Sequence, residues 1–227
     1  MIHLCFNIIK QFARLLRYIG IIGFLSGSIT FLNLNMKIPN SIEMPLGDLS
    51  GLAVDSDGNI YCTTLYYARV QVYSPSGRFL RGISIEANGM LWIKINNDDQ
   101  LEVAVARGDK RFKFDRNGNL LSHMTNVSDY LAGFDKKSEY FYYDEKQRIT
   151  YQIKPILTSL FGKHIVEKDA SGKETVIIGT PFLKWLFMGP FPAFFFIIFS
   201  ALLSLIFDKK LREGLFEQIQ KHIKASN

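Results

Sequence analysis

Apolar and polar residues follow three different patterns along the chain. Residues 18–36 and 185–207 form two uncharged apolar stretches of 19 and 23 residues. At a rise of about 1.5 Å per residue, helices of this length can cross a bilayer core. Between them, residues 50–178 alternate short β-type runs with clusters of Asp, Asn, Ser and Gly, which is typical of antiparallel strands joined by tight turns. The chain is therefore predicted to hold a β domain between two transmembrane helices.

Positive charge beside the two apolar stretches predicts their orientation, because cations stay on the cytoplasmic side of a span. Both termini are predicted to be cytoplasmic. The residues expected at the membrane interfaces are Lys10, Arg14, Arg17, Lys184, Trp185, Lys209, Lys210 and Arg212. The predicted organisation of this two-pass membrane protein is a basic cytoplasmic segment (1–17), a first transmembrane helix (18–36), an extracytoplasmic β domain (37–183), a second transmembrane helix (185–207) and an amphipathic cytoplasmic tail (208–227).

The first apolar stretch has two interpretations. Ser26 and Ser28 are small residues at the spacing that signal peptidase prefers, so cleavage before Ile29 is open. Apolar residues continue beyond that point through Phe31 to Leu34, which favours an uncleaved signal anchor.

The net charge of +6 is located in the flanks and not in the β domain. Lys and Arg number 27 and Asp and Glu 21 in the whole chain, whereas residues 37–183 contain 18 of each. A nucleic-acid-binding domain needs a surplus of positive charge on its own surface. The neutral β domain therefore argues against nucleic acid as a partner, and the basic flanks favour the lipid bilayer.

The β domain has an internal repeat. Turn signals recur about every 20 residues, and two kinds of turn alternate, so the period is about 40 residues. Residues 52–83 and 93–124 agree in apolar pattern along their length. A third, degenerate copy is predicted from Gly133 to Ile178, with Lys154–Lys163 as an insertion in place of its outer turn. A four-stranded unit of this length is expected of a propeller blade, which buries its faces only against neighbouring blades.

Residues 52–83 resemble an NHL repeat, a β-propeller blade type. The motifs that carry the resemblance are the turn Asp55–Tyr61, the strand Arg69–Val72 and the hairpin Pro75–Leu80. The likeness is weaker over 93–124. Such repeats often carry V-A-D where this chain has Cys62-Thr63-Thr64, so a role for that aspartate is not carried over. The resemblance implies a mainly β, propeller-like fold.

Three blades are fewer than a closed propeller needs. An open arc leaves edge strands exposed, and exposed edges invite pairing with another chain. We therefore expect a homo-oligomer that completes the β array, for example a twofold dimer. The alternative is a small arc or β-sandwich closed by its own linkers.

Few residues of the β domain suggest chemistry. Tyr66 and Tyr67 fall in a predicted loop, where exposed aromatic rings would suit a peptide or sugar ligand, and Arg107 is a further candidate. Core packing is the more ordinary use of such rings.

Metal and catalytic motifs give little support to an enzyme. Asp55, Asp57 and Asn59 resemble the start of a calcium loop, but the distal Glu is missing and the same spacing serves a hairpin turn. No zinc motif, nucleophile elbow or phosphate-binding glycine loop is present. We expect no cofactor.

The sequence thus favours an integral membrane protein that presents an extracytoplasmic binding or assembly module without catalysis. One alternative is a membrane-tethered enzyme whose site forms on oligomerisation, with Asp55, Asp57 and Arg107 as candidates. Another is an accessory subunit of a larger membrane complex.

Overall fold

The computed structural model describes residues 38–86, 89–107, 109–127, 129, 131, 133–134, 141–144, 149–156, 158–180 and 184–185, with scattered helical residues within 11–21 and 197–202. Two compact units divide the chain: residues 1–28 with 186–227, and residues 29–185. Among the described residues, no helix combines the length and the apolar character that a membrane span requires. Most of 18–36 and 185–207 lies outside them, so the two spans stay predictions.

The described part of the second unit is mainly β, as predicted. It forms three antiparallel sheets of four strands each. In each sheet the strands follow one another in chain order from one edge to the other. Sheet A contains β1 (Leu49–Val54), β2 (Ile60–Thr64), β3 (Arg69–Tyr73) and β4 (Phe79–Ser84); sheet B contains β5 (Leu91–Ile95), β6 (Leu101–Val105), β7 (Lys110–Phe114) and β8 (Leu120–Met124); sheet C contains β9 (Phe141–Asp144), β10 (Ile149–Ile156), β11 (Thr158–Lys168) and β12 (Glu174–Gly179).

The strands of sheets A and B confirm the repeat of about 40 residues, but the third copy differs from its prediction. The prediction that Lys154–Lys163 is an insertion between strands is wrong. This segment belongs largely to β10 and β11, which pair from Thr150 with Lys168 to Ile156 with Thr158. Ile153 and Ile165 are opposite each other in this pairing and both are buried, so a long hairpin is found where an insertion was predicted.

Sheet A lies between the other two sheets. Strand β1 contacts β5 of sheet B and both β9 and β10 of sheet C. The face of sheet A toward sheet B contributes residues such as Tyr61 and Val72, which cluster with Ile93, Val103 and Phe112. The opposite face clusters with sheet C through residues that include Leu52, Ile60, Cys62, Tyr151 and Ile165. Since strand side chains alternate between faces, sheet A buries both of its faces.

Five hairpin turns share one construction, which the sequence pattern predicted. The first residue accepts backbone hydrogen bonds through its side chain, and the fourth has a positive φ. The fourth residue is Gly in four of these turns and Asp99, with φ 53°, in the other. The turns are Asp55–Asn59, Ser74–Arg78, Asn96–Gln100, Asp115–Asn119 and Asp169–Lys173.

The segment 38–46 joins sheet A to sheet C. The buried Arg69 guanidinium donates hydrogen bonds to the carbonyl oxygens of Ile38 (3.0 Å), Pro39 (2.8 Å) and Ile42 (3.1 Å). The side-chain amide of Gln71 accepts from the N–H of Met44 (2.6 Å) and donates to its carbonyl (3.0 Å).

At its other end, this segment reaches sheet C. The N–H of Leu46 donates to Thr180 Oγ1 (2.5 Å), and the Leu46 carbonyl accepts from the N–H of Lys163 (3.2 Å). Buried polar side chains thus bind a segment that precedes the sheets in the chain.

Candidate functional site

The residues that the sequence singled out lie in turns at the two opposite ends of the strands of sheets A and B. The N–H and hydroxyl of Ser56, in the β1–β2 turn, both donate to the carboxylate of Asp99, in the β5–β6 turn, at 2.9 and 2.6 Å. These turns therefore lie at the same end of the strands, which we call the Asp55 rim. The β2–β3 and β6–β7 turns lie at the other end of these strands, which we call the Tyr66 rim.

The predicted ligand-binding residues all belong to the Tyr66 rim. Tyr66 and Tyr67 occupy the β2–β3 turn, with their ring centroids 5.0 Å apart in an edge-to-face arrangement. Tyr66 is half-buried, whereas Tyr67 is only 7% exposed. Arg107 is exposed in the β6–β7 turn. The predicted loop position is correct, but Tyr67 is not the exposed ring that we expected. A ligand role for these residues stays a prediction.

A buried carboxyl group lies beside Tyr66, and sequence reasoning missed it. Asp48 accepts a hydrogen bond from the N–H of Tyr66, and its Oδ1 atom is buried without a hydrogen-bond partner. Burial raises the pKa of Asp48 to about 6, although the nearby positive charge of Lys163 acts in the opposite direction. Lys163 Nζ donates to the Leu49 carbonyl (2.7 Å), and burial lowers the pKa of Lys163. An aspartate before a strand gives no sequence signal for this environment.

The Asp55 rim does not have the geometry of an open calcium loop. Asp55 is 8% exposed. One of its carboxylate oxygens accepts from the N–H groups of Asp57 (3.0 Å) and Asn59 (2.8 Å), and the other accepts from Asn59 Nδ2 (2.9 Å) and Tyr61 Oη (3.1 Å). Both oxygens are thus occupied within their own hairpin, which favours the turn interpretation. In the part of the chain that the structure describes, no group of three or more His, Cys, Asp or Glu side chains could hold a metal ion.

Arg116 joins the turns of the Asp55 rim across sheets A and B. Its guanidinium donates to Asp57 Oδ2 and to Ser56 Oγ, both at 3.2 Å, and forms an ion pair with Asp99. The hydrogen bonds from Ser56 are the main cause that lowers the pKa of Asp99, and Arg116 adds to it. Asp57 and Asp99 therefore have structural partners at this junction. The enzyme candidates Asp55 and Asp57 lie at the Asp55 rim, whereas Arg107 lies at the Tyr66 rim. A single chain therefore does not bring the three side chains together.

The outer face of sheet B, which points away from sheet A, carries a cluster of charges. Glu102 Oε2 lies 3.1 Å from Lys94 Nζ and 3.7 Å from Arg111, and Glu102 Oε1 lies 3.9 Å from Lys113 Nζ. The Phe134 ring covers both Lys94 and Arg111, with centroid distances of 5.0 and 5.2 Å. Side chains of β7 alternate between two faces: Arg111 and Lys113 belong to this cluster, whereas Phe112 and Phe114 lie in the core. Three cations around one carboxylate give this face a local positive charge.

The first and last described segments of the second unit contact each other. Lys184 Nζ lies 2.6 Å from Glu43 Oε2, and the Trp185 side chain is 7% exposed beside Gly47 and Gly162. The membrane-interface role of these two residues stays a prediction. Of the other predicted interface residues, Arg14 is an exposed helical residue. Lys10, Arg17, Lys209, Lys210 and Arg212 lie outside the described residues.

Comparison with known proteins adds a weak likeness to solved structures. A streptogramin B lyase structure has a TM-score of 0.33 and 13% identity, over 61% of this chain and 43% of that one. A catalytically inactive virginiamycin B lyase from Staphylococcus aureus, solved with quinupristin, has a TM-score of 0.32 and 14% identity, over 60% and 43%. A selenomethionine-substituted form of that enzyme has a TM-score of 0.32 and 10% identity, over 61% and 43%.

These values carry no argument about activity. The chain spans less than half the length of each of those proteins. No protein-family model and no curated protein matches the chain.

Proposed function

We propose that this chain is a two-pass membrane protein whose extracytoplasmic, propeller-like β module binds a protein partner without catalysis. The spans and the NHL character of the repeats belong to this proposal. The observation that carries the proposal is that the row of sheets formed by the described residues is open. Sheet A has a sheet on each face, whereas sheets B and C each pack on sheet A through one face.

The partial burial of side chains on the outer face of sheet B favours a binding surface over an ordinary solvent-exposed face. Lys94, Glu102, Arg111 and Lys113 have side chains that are only 20–36% exposed. Trp92, on the same face as Lys94, is 8% exposed. A half-buried face of this kind already has part of its charged groups out of water, which lowers the desolvation cost when a second surface covers it. Its local positive charge favours a partner surface with acidic residues.

The assembly of the full-length protein in native membranes tests this proposal. After extraction in mild detergent, native gel electrophoresis and light scattering give the mass of the complex. We expect a mass above that of one protomer, and a lower mass in the triple variant Lys94→Gln, Arg111→Gln, Lys113→Gln. The matched control is the variant Lys154→Gln, Lys168→Gln on sheet C, which should keep the complex. A single protomer in the wild type contradicts the proposal, and so does a complex that the triple variant leaves intact.

A labelling experiment tests the predicted topology separately. A membrane-impermeant maleimide should react in intact cells with a cysteine introduced at exposed Ser76, in the β3–β4 turn. It should not react with one introduced at Ser226, near the C-terminus. Reaction at Ser226 in intact cells would reverse the predicted orientation.

A further inference from the structure

Strand β8, at the outer edge of sheet B, is exposed along its whole length. All five of its residues are exposed. Leu120, Leu121 and Met124 are 55%, 50% and 52% exposed. Among the described residues, β8 pairs only with β7, so its other side presents unpaired backbone groups.

The outer strands of the other two sheets are protected. On β4, the N–H of Gly82 donates to the carbonyl of Asn40 (2.8 Å), so the segment 38–46 covers that edge. On β12, Glu174 forms an ion pair with Lys154 at 2.6 Å. Covering segments and charges are the usual means by which sheet edges avoid pairing with another chain. In the part of the chain that the structure describes, nothing covers β8, and the strand itself contains no Asp, Glu, Lys or Arg.

Local irregularity of the strand does not provide that protection either. The β7–β8 pairing shifts register between Lys113 and Phe114. Equivalent shifts occur in the β3–β4 and β11–β12 pairings. Since all three strands share this feature, it does not explain why, among the described residues, β8 lacks the cover or charges found on β4 and β12.

The sequence of β8 suits pairing with itself. In an antiparallel pair centred on Ser122, Leu120 of each copy lies opposite Met124 of the other, and Leu121 lies opposite His123. Ser122 faces its own counterpart, where the two hydroxyl groups can form a hydrogen bond. Each exposed apolar side chain then has a cross-strand neighbour, and no like charges meet within the strand. A strand rich in acidic residues would find no cation on β8 itself.

We propose that β8 pairs antiparallel with β8 of a second copy about a twofold axis at Ser122, which joins two B sheets into one of eight strands. Such an interface is isologous and closes at a dimer. The inference rests on the proposed binding function and adds to it a second contact, with a copy of the same chain. The charged outer face of sheet B takes no part in the β8 pair. Backbone hydrogen bonds would supply the affinity, as in other strand additions.

Disulfide trapping in the full-length protein tests the register. The change Ser122→Cys is made with Cys5→Ser, while buried Cys62 is retained. Directly opposed residues of an antiparallel pair have Cα atoms roughly 4.5–5.5 Å apart, within the range that a disulfide spans. Mild oxidation in membranes should give a disulfide-linked dimer. The same experiment with Ser171→Cys, in the exposed β11–β12 turn, should give none.

A charge on the strand provides the second measurement. Leu121→Lys should lower the mass in detergent from two protomers to one and abolish the Ser122 cross-link, whereas Val176→Lys on β12 should do neither. Each site is at least half exposed, so neither change removes core packing. A multimer that forms without a Ser122 cross-link overturns the β8 pairing and leaves the binding proposal standing. A wild-type protomer that is monomeric overturns both.

Discussion

The two junctions of sheet A are built in different ways. Toward sheet B, residues of adjacent repeats pack in an apolar cluster, and a polar group of Ser56, Asp99 and Arg116 joins the exposed turns. Toward sheet C, the segment 38–46 lies against buried Arg69 and Gln71 and continues to sheet C. The first junction follows from the repeat itself. The second depends on buried polar side chains that bind a terminal segment.

Among the changes that test this comparison, removal of the Arg69 side chain should lower the free energy of unfolding most. Arg69→Ala leaves three carbonyl groups without their donor and creates a cavity, so we expect a loss of about 3–5 kcal/mol in the free energy of unfolding. Urea unfolding of the full-length protein measures the loss, and hydrogen exchange should show faster exchange in residues 38–46. The control Arg78→Ala removes an exposed side chain and should cost less than about 0.5 kcal/mol. Equal losses in the two variants would refute the assigned role of Arg69.

The change Gly77→Ala, which adds a methyl group beside sheet C, should have the second largest effect on stability. Gly77 has φ 78°, and a Cβ there would overlap the carbonyl oxygen of Ile177 in sheet C. Gly172 has φ 85°, but its Cβ would meet only Lys168 Cε at 3.9 Å. Gly172→Ala should therefore cost about 1 kcal/mol for backbone strain alone, and Gly77→Ala about 2–3 kcal/mol more. Thermal unfolding of the pair checks the difference, and similar costs would mean that sheet C does not approach this turn.

The pH dependence of stability should reveal Asp48, which lies between β1 and Lys163 of sheet C. Its pKa is raised to about 6 from 3.8, so the folded protein holds this proton more tightly than the unfolded chain. Stability from this group is greatest below pH 4 and falls as the pH rises through about 6, by about 3 kcal/mol. Asp48→Asn should be more stable than the wild type at pH 7 and lose that advantage near pH 4. A constant difference between the two proteins across this range would exclude the effect.

The polar group of the A–B junction should have the smallest effect. The Arg116 side chain is 50% exposed, so Arg116→Gln should cost about 0.5–1 kcal/mol, and less at 1 M salt. The Arg69→Ala loss should change little with salt, because that guanidinium is buried. Denaturation of both variants at low and high salt measures the contrast, and a salt-independent cost for Arg116→Gln would argue against an ion-pair contribution.

The features of the fold that could be predicted are those encoded by local sequence patterns. Strands Ile60–Thr64 and Leu101–Val105 and the five turns follow from alternation and from Asp, Asn, Ser and Gly at fixed offsets, so the repeat of sheets A and B was correct. The contacts of Arg69 and Gln71 join residues about 30 positions apart through side chains, and no local pattern encodes them. An Arg at the start of a strand ordinarily indicates an exposed position.

The same limit applied to the third sheet and to the candidate site. Lys154–Lys163 contains Pro155 and Gly162, which favoured a loop, yet partner strands maintain its extended backbone. Tyr66 and Arg107 were placed at one rim by their turns, whereas Asp48 acquires its raised pKa from burial in the folded domain, which no local pattern encodes.

The ion pair between Glu43 and Lys184 has a consequence for how this domain fits into a longer chain. The described segments that contain these two residues meet in this side-chain contact, so the polypeptide enters and leaves the β domain close together. A unit with adjoining ends can interrupt another structure between two consecutive elements without separating them. Circular permutation that joins positions 38 and 185 by a short linker should preserve the three sheets.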